Sequence, residues 1–277
     1  MRMGEVQELT IVREAQQGLY VGDEDGEVLL PRRLCPREVR IGRKLRVFVH
    51  TDSDDRPIAT TKMPHAQVGE FALMRVIAVT SAGAFLDWGI DKDLFCPLSE
   101  QTTPMREDRN YLVRVYLDEA SGRVVCTSKL ARFLRVDGEG LRVGQPVKIM
   151  IAEHRPNATT VIIDGYYRGT LFPDEWHDDL VIGQVLDGYV KQIRPDDRKV
   201  AVSLRPQGYE AVLDQRERLI AALRTAGGFL PVNDKSSPEE IHRRFGLSKG
   251  SFKKLIGTLY RERVLDIESH GIRLVER

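Results

Sequence analysis

The chain has 277 residues, of which 42% are hydrophobic and 30% charged, a balance typical of soluble globular proteins with room for two or more cores. Its 42 Lys and Arg offset 41 Asp and Glu, and this net charge of +1 excludes a protein that coats nucleic acid by bulk charge. The three cysteines form no Cys-x-x-Cys pair, which together with the lack of a signal peptide indicates the reducing cytoplasm. No apolar run approaches the roughly 20 residues of a membrane span, so no membrane contact is expected.

Residues 1–64 contain short alternating runs that predict a first small β-barrel. The runs are residues 4–11, 18–21, 28–31, 41–49 and 58–62. Of the three repeats in the chain this one is the weakest match, because its opening strand must come from the divergent residues 4–11. An acidic turn at residues 52–56 separates the last two strands.

Residues 65–135 carry the clearest version of this pattern, with five apolar runs that are each too short for an ordinary helix. Residues 83–87 alternate, and in a strand neighbouring side chains point to opposite faces. Because Asp87 belongs in water, Phe85 is expected on the same outer face, while Ala84 and Leu86 point inward. An aromatic ring on the outside of a small barrel is a stacking platform, which is the first indication of function.

Residues 136–207 repeat the pattern a third time, with strands predicted around residues 143–147, 161–164, 170–172, 182–185 and 199–204. Pro31, Pro97 and Pro173 each follow two apolar residues and serve as landmarks. Aligned in this way, Tyr20 and Ile162 occupy the place of Phe85. Barrel closure removes the exposed edges that short sheets otherwise present.

In residues 208–277 the hydrophobic period changes from two to about 3.6. A first amphipathic helix is predicted to end at Gly227-Gly228. Ser237 is expected to cap a second helix and Ser248 a third, whose apolar face consists of Phe252, Leu255, Ile256 and Leu259. A hairpin follows. This order is that of a winged-helix domain, so the predicted fold is mainly β with a small α+β end.

The second repeat resembles the S1 RNA-binding domain, a five-stranded barrel of the OB-fold type, in Val68-Gly69 and in residues 83–87 and 94–99. It departs from many S1 domains at Pro97, where those carry a histidine. The order of three S1-like repeats and a winged helix resembles the conserved virulence factor B family, also called YitL-like. The resemblance implies a cytoplasmic bacterial RNA-binding protein that influences gene expression post-transcriptionally, including virulence genes in some members.

The predicted function is single-stranded RNA binding, with bases stacked on exposed barrel aromatics and phosphates held by nearby Lys and Arg. The candidate aromatics are Tyr20, Phe85 and Tyr167. The candidate cations are Arg75, Arg114, Arg168 and Lys191 on the barrels and Lys249, Lys253 and Lys254 on the third helix of the winged module.

No catalysis is expected. The acidic clusters Asp52/Asp54/Asp55 and Asp196/Asp197 each lie in a hairpin beside a basic residue and are interpreted as solvated turns. The histidines show no metal-ligand spacing, and no glycine-rich nucleotide-binding motif occurs, so no metal or cofactor is expected. Two other functions stay open, namely duplex DNA binding through the winged helix and a scaffold for protein partners whose barrels have lost RNA affinity.

Overall fold

The fold is mainly β, as predicted, with three five-stranded domains before a small module of helices and strands. The computed structural model describes residues 1–175, 179–206 and 209–275, and the predicted boundary between residues 207 and 208 lies outside them. The chain forms two compact units. The first comprises residues 1–140, 147–187 and 194–201, and the second comprises residues 141–146, 188–193 and 202–277.

The first domain is a closed barrel. Its strands are β1 (Val6–Ala15), β2 (Gly18–Asp23), β3 (Gly26–Pro31), β4 (Lys44–Thr51) and β5 (Pro57–Thr60). They are hydrogen-bonded in the order β1-β2-β3-β5-β4, and a single parallel bridge from Leu29 to Ile58 joins β3 to β5. Alternate side chains such as Leu9 and Ile11 fill the interior.

The second domain has the same strand order. Its strands are β6 (Phe71–Val79), β7 (Gly83–Leu86), β8 (Leu94–Pro97), β9 (Asn110–Asp118) and β10 (Arg123–Thr127). The hydrogen-bonded order is β10-β9-β6-β7-β8, and the two end strands lie side by side without closing the ring of hydrogen bonds. Ala84 and Leu86 are fully buried while Phe85 between them is half-buried, which confirms the predicted alternation.

The third domain is again a closed barrel. Its strands are β11 (Pro146–Arg155), β12 (Ala158–Ile163), β13 (Tyr167–Leu171), β14 (Val185–Ile193) and β15 (Val200–Ser203). Their order is β11-β12-β13-β15-β14. On β13, Gly169 and Leu171 are buried, so Arg168 and Thr170 lie on the outer face.

The first two domains share a buried aromatic cluster. Phe48 on β4 of the first barrel is fully buried within the core of the second domain, where Trp88 meets it edge-on at 5.1 Å between ring centroids. His50 stacks on Phe48 at 5.9 Å. The Trp88 indole N–H donates to the Ala66 carbonyl at 2.7 Å, so its one polar atom is satisfied. These rings therefore form a shared core where the two domains meet, beside the first barrel's own core around Leu9 and Ile11.

His50 gives this shared core a predictable pH dependence. Burial lowers the pKa of His50 below its ordinary 6.5. The hydrogen bond between its ring and the Thr51 carbonyl acts in the opposite direction and raises the pKa. The charged neighbours of His50 are Lys92, Asp91 and Asp52. A histidine whose pKa is lower in the folded than in the unfolded protein binds more protons when the protein is unfolded. The folded protein therefore loses stability as the pH falls through about 6.5.

We therefore expect the His50→Phe variant to lose less melting temperature than the wild type between about pH 7.5 and pH 5.5. Thermal unfolding followed by circular dichroism at both pH values measures this difference. Parallel losses in the two proteins would show that other groups dominate the acid sensitivity of the shared core.

A second apolar cluster joins the second and third domains. Its buried members are Phe71, Leu112 and Ile162. Gly183 belongs to the same seam, where its φ of +84° and the approach of Leu73, 2.7 Å from the place of a Cβ, leave room only for glycine. Ile162 is therefore covered by the second domain rather than presented to a ligand.

The C-terminal module has the predicted winged-helix order. Its elements are α1 (Tyr209–Thr225), β16 (Phe229–Leu230), α2 (Pro238–Phe245), α3 (Lys249–Arg261), β17 (Leu265–Glu268) and β18 (Gly271–Leu274). Ser237 and Ser248 cap α2 and α3 by accepting from the backbone N–H of Glu240 and Ser251. The four predicted apolar residues of α3 are buried. No helix in the described residues combines the length and apolarity of a membrane crossing.

Candidate nucleic-acid interface

A bulge in the opening strand of each domain fixes which outer residues are equivalent. The register shifts by one residue between Ile11 and Arg13, between Val76 and Ala78, and between Ile151 and Glu153. The residues paired just beyond the shift are Tyr20, Phe85 and Thr160. The predicted equivalence of Ile162 is therefore wrong, because Ile162 is two residues further along and buried at the seam. The third barrel has a hydroxyl where the others have a ring.

Phe85 forms an outer aromatic pair. It lies opposite Phe95 on β8, with the ring centroids 5.0 Å apart and tilted. Phe85 also borders a cleft of about 380 Å³ against the first barrel, whose charged lining residues are Arg33, Asp52, Asp91, Lys92 and Asp93. We call this space the Phe85 cleft. It combines an aromatic surface for stacking with charged groups of both signs.

The other two predicted aromatics are engaged within the protein. The Arg13 guanidinium lies 3.5 Å from the centre of the Tyr20 ring and covers it. The Tyr167 hydroxyl donates to the Glu139 carbonyl at 2.6 Å, and its ring meets Tyr166 edge-on at 5.0 Å. Tyr166, which the site prediction left out, is the more open ring of this pair, with an exposed fraction of 49%.

A groove lined by cations runs between the second domain and the outer face of the third barrel. It consists of two adjoining cavities of about 830 and 380 Å³ that share Arg155, Thr160 and Arg168. Its cations are Lys129, Arg132, Arg155, Arg168 and Lys199, and Glu153 is the one carboxylate among its described lining residues. We call this the third-barrel groove. In a chain with a net charge of +1, the lining of this groove carries a local excess of positive charge.

Three of these cations have acidic partners. Arg132 contacts Glu100 at 2.6 Å, Arg155 contacts Glu153 at 2.8 Å and Lys199 contacts Asp197 at 2.8 Å. Lys129 and Arg168 have no acidic partner within the part of the chain that is described. They are therefore the two groove cations whose charge is available to an anion.

The floor of the groove is apolar. It is formed by Leu112, Leu130, Leu134, Ala152 and Ile182. Hydroxyls of Thr160 and Thr170 border it, and Phe172, which is 42% exposed, directly follows β13. The groove thus combines an aliphatic floor, hydroxyl groups and a cationic rim. This combination suits a ligand that has both apolar faces and negatively charged linking groups.

The remaining predicted barrel cations lie elsewhere. Arg75 pairs with Asp108 at 3.2 Å. Arg114 is half-buried between Phe71 and Phe133, with its guanidinium 4.9 and 4.6 Å from the two ring centres. Burial lowers the pKa of Arg114, and its Nε has no hydrogen-bond partner among the described residues. Arg114 thus packs within the seam and is not a groove cation. Lys191 lies on β14.

The winged module presents its own cationic face. On α3, Lys253 and Lys254 are exposed and Lys249 is half-buried. A Cβ placed on Gly257 would meet no described atom within 4 Å, so this face of the helix is uncrowded.

The acidic turns are paired as interpreted. Asp52 and Asp54 each contact Arg56 at 2.8 Å, and Asp55 pairs with Arg123. In the third barrel Asp196 pairs with Arg194 at 2.9 Å. Within the described ranges, no group of three or more metal-ligating side chains is assembled.

Sequence reasoning missed Lys129, Arg132, Arg155 and Lys199. One signal was available for Lys129. Lys62, Lys129 and Arg205 each follow a hydroxyl residue by two positions at the end of their repeat. In all three places the cation's backbone N–H donates to that hydroxyl at 3.0 Å.

Comparison with known proteins gives matches at both ends of the chain. The S1 domain family matches residues 3–62, and the CvfB-like winged helix domain family matches residues 217–274. The S1 match falls on the repeat whose opening strand is the most divergent by sequence.

Relatives match over most of the chain. YitL of Bacillus subtilis (strain 168) is 26% identical over 272 residues, covering 94% of this chain and 89% of that protein. Conserved virulence factor B of Staphylococcus saprophyticus is 25% identical over 252 residues, covering 87% and 82%. A crystal structure of a multidomain protein with nucleic acid binding domains from Streptococcus pneumoniae shares 24% identity and covers 99% and 98%, with a TM-score of 0.41. The family matches and the two relatives confirm the resemblance to the conserved virulence factor B family.

Proposed function

We propose that this protein binds single-stranded RNA and, without catalysing a reaction, regulates bacterial gene expression after transcription. The observation that carries the proposal is the third-barrel groove, whose described lining has five cations and one carboxylate around an apolar floor. The S1 domain match at residues 3–62 supports the same class of ligand.

The groove favours an unpaired strand over a duplex. Its aliphatic floor at Leu112, Leu130 and Leu134 gains from contact only with the flat faces of bases, which a duplex keeps stacked inside. The cations on the rim would hold the phosphates on either side of a splayed base. Thr160 and Thr170 offer hydroxyls that can bond a ribose 2′-OH, a group that DNA lacks.

Phe85 is proposed as a second contact, where one base of the strand stacks on the outer pair with Phe95. The Phe85→Leu variant keeps an apolar side chain on β7 but removes the ring. We expect it to weaken single-stranded RNA binding by about 5- to 10-fold, the lower part of the range for one stacked base, because leucine keeps some contact. Fluorescence anisotropy with a labelled RNA oligonucleotide measures the change.

Tyr20→Leu is the matched control, since Tyr20 is the equivalent residue but its ring is already covered by Arg13. Its effect on RNA affinity should be within about twofold. Equal losses in both variants, or no loss in a folded Phe85→Leu protein, would remove Phe85 from the proposed interface.

A further inference from the structure

The Phe85 cleft has a polar composition that phosphate binding does not explain. Its described charged lining is Arg33 and Lys92 against Asp52, Asp91 and Asp93, which gives no positive excess. Carboxylates repel phosphates, but they accept hydrogen bonds from the N–H groups on the edge of a base. The cleft is therefore better suited to a base than to the backbone of a nucleic acid.

One carboxylate in the cleft is uncommitted. Asp91 is paired with Arg33 at 3.0 Å and also with Lys62, while Asp52 is paired with Arg56 at 2.8 Å. Asp93, in contrast, has no hydrogen bond or ion pair to any described residue. Its two carboxylate oxygens are free to accept from a ligand.

Asp93 is placed to meet a base that stacks on the aromatic pair. It lies directly before β8 and lines the same cleft as Phe85. A base that enters the cleft and stacks on Phe85 therefore comes beside the Asp93 carboxylate.

Lys92 adds a donor of fixed position. Its ammonium donates to the Thr51 hydroxyl at 2.8 Å and to the Asp52 carbonyl at 2.9 Å. An ammonium has three N–H groups, so one remains for an acceptor in the cleft. The acceptor pair of Asp93 and the single donor of Lys92 thus both line the cleft.

We propose that the Phe85 cleft selects guanine, with Asp93 accepting from the N1–H and N2 amino groups and Lys92 donating to O6. The inference rests on the proposed single-stranded RNA binding and adds the identity of one base to it. Guanine alone offers two adjacent donors beside an acceptor on its Watson–Crick edge. Adenine and cytosine offer one amino group and uracil one ring N–H, so each leaves a carboxylate oxygen or the ammonium without its partner.

The test compares labelled oligouridine RNAs of about 12 nucleotides, each with one central guanosine, adenosine, cytidine or uridine, against the full chain by fluorescence anisotropy. The guanosine RNA should bind about 5- to 150-fold more tightly than the others, the range for one two-bond base contact. Inosine, which lacks the N2 amino group, should lose most of this preference. 7-Deazaguanosine should retain it, because its Watson–Crick edge is unchanged.

Asp93→Asn should bring the ratio of guanosine to uridine affinity close to one. Glu119→Gln, an exposed carboxylate in the turn after β9 of the same domain, removes the same charge and should keep the wild-type ratio. RNA binding without any base preference would overturn the guanine assignment and leave the proposed function standing. A guanosine preference that survives Asp93→Asn would overturn the role of Asp93, and failure to bind any of the RNAs would overturn both proposals.

Discussion

Truncation of Phe48 to alanine should lower the free energy of unfolding by about 3–5 kcal/mol, the usual cost of removing a fully buried phenyl ring. The ring comes from the first barrel but fills the core of the second domain against Trp88. Its loss opens a cavity where both domains meet, and the total stability of a domain is only about 5–15 kcal/mol. Both domains should therefore be weakened by this one substitution.

Urea denaturation followed by tryptophan fluorescence measures this effect, since Trp88 lies in contact with Phe48. Phe172→Ala is the matched control, because the same ring is removed at a position that is 42% exposed. Its cost should be below about 1 kcal/mol. Equal costs for the two variants would contradict the shared core of the first two domains.

Reversal of the two uncommitted groove charges should have the largest effect on function. Lys129→Glu combined with Arg168→Glu replaces both cations that have no acidic partner in the described chain. Two charge-assisted contacts are worth about 1.5–3 kcal/mol each, so single-stranded RNA affinity should fall on the order of 100-fold or more. The slope of log affinity against log salt should also become shallower by about 1.4, or about 0.7 for each lost phosphate contact.

The control for this variant is Lys44→Glu combined with Arg46→Glu. Both residues are exposed on β4 of the first barrel, and the net charge of the protein changes by the same amount. A groove that binds RNA predicts a much smaller loss here. Equal losses in the two double variants would mean that overall charge, rather than the groove, determines affinity.

The fold could be predicted from the sequence because its signals are local. Alternation around Phe85 and capping by Ser237 and Ser248 involve residues within a few positions of one another. The equivalence of Thr160 and Phe85 could not be found in this way. Residues 161–163 are all apolar, so the hydrophobic pattern does not mark the bulge that sets which face each side chain takes.

The contacts that individual site residues make could not be predicted from the sequence either. Arg114 looks like any surface cation until the fold brings Phe71 and Phe133 against it, and Tyr20 looks exposed until Arg13 covers it. The groove cations are spread from Lys129 to Lys199, and only the packing of two domains gathers them. The sequence did contain one signal for Lys129, because a hydroxyl residue is followed two positions later by a cation at the end of each repeat.

The function proposed for this protein is the binding of single-stranded RNA. Its most direct test is fluorescence anisotropy with labelled single-stranded RNA, single-stranded DNA and duplex DNA of one sequence, each at two salt concentrations. Single-stranded RNA should bind most tightly, and its affinity should fall as the salt concentration rises. Tighter binding of the duplex would contradict the proposed function and direct attention to Lys253 and Lys254 on α3. Binding of none of the three would contradict it as well and leave a scaffold for protein partners.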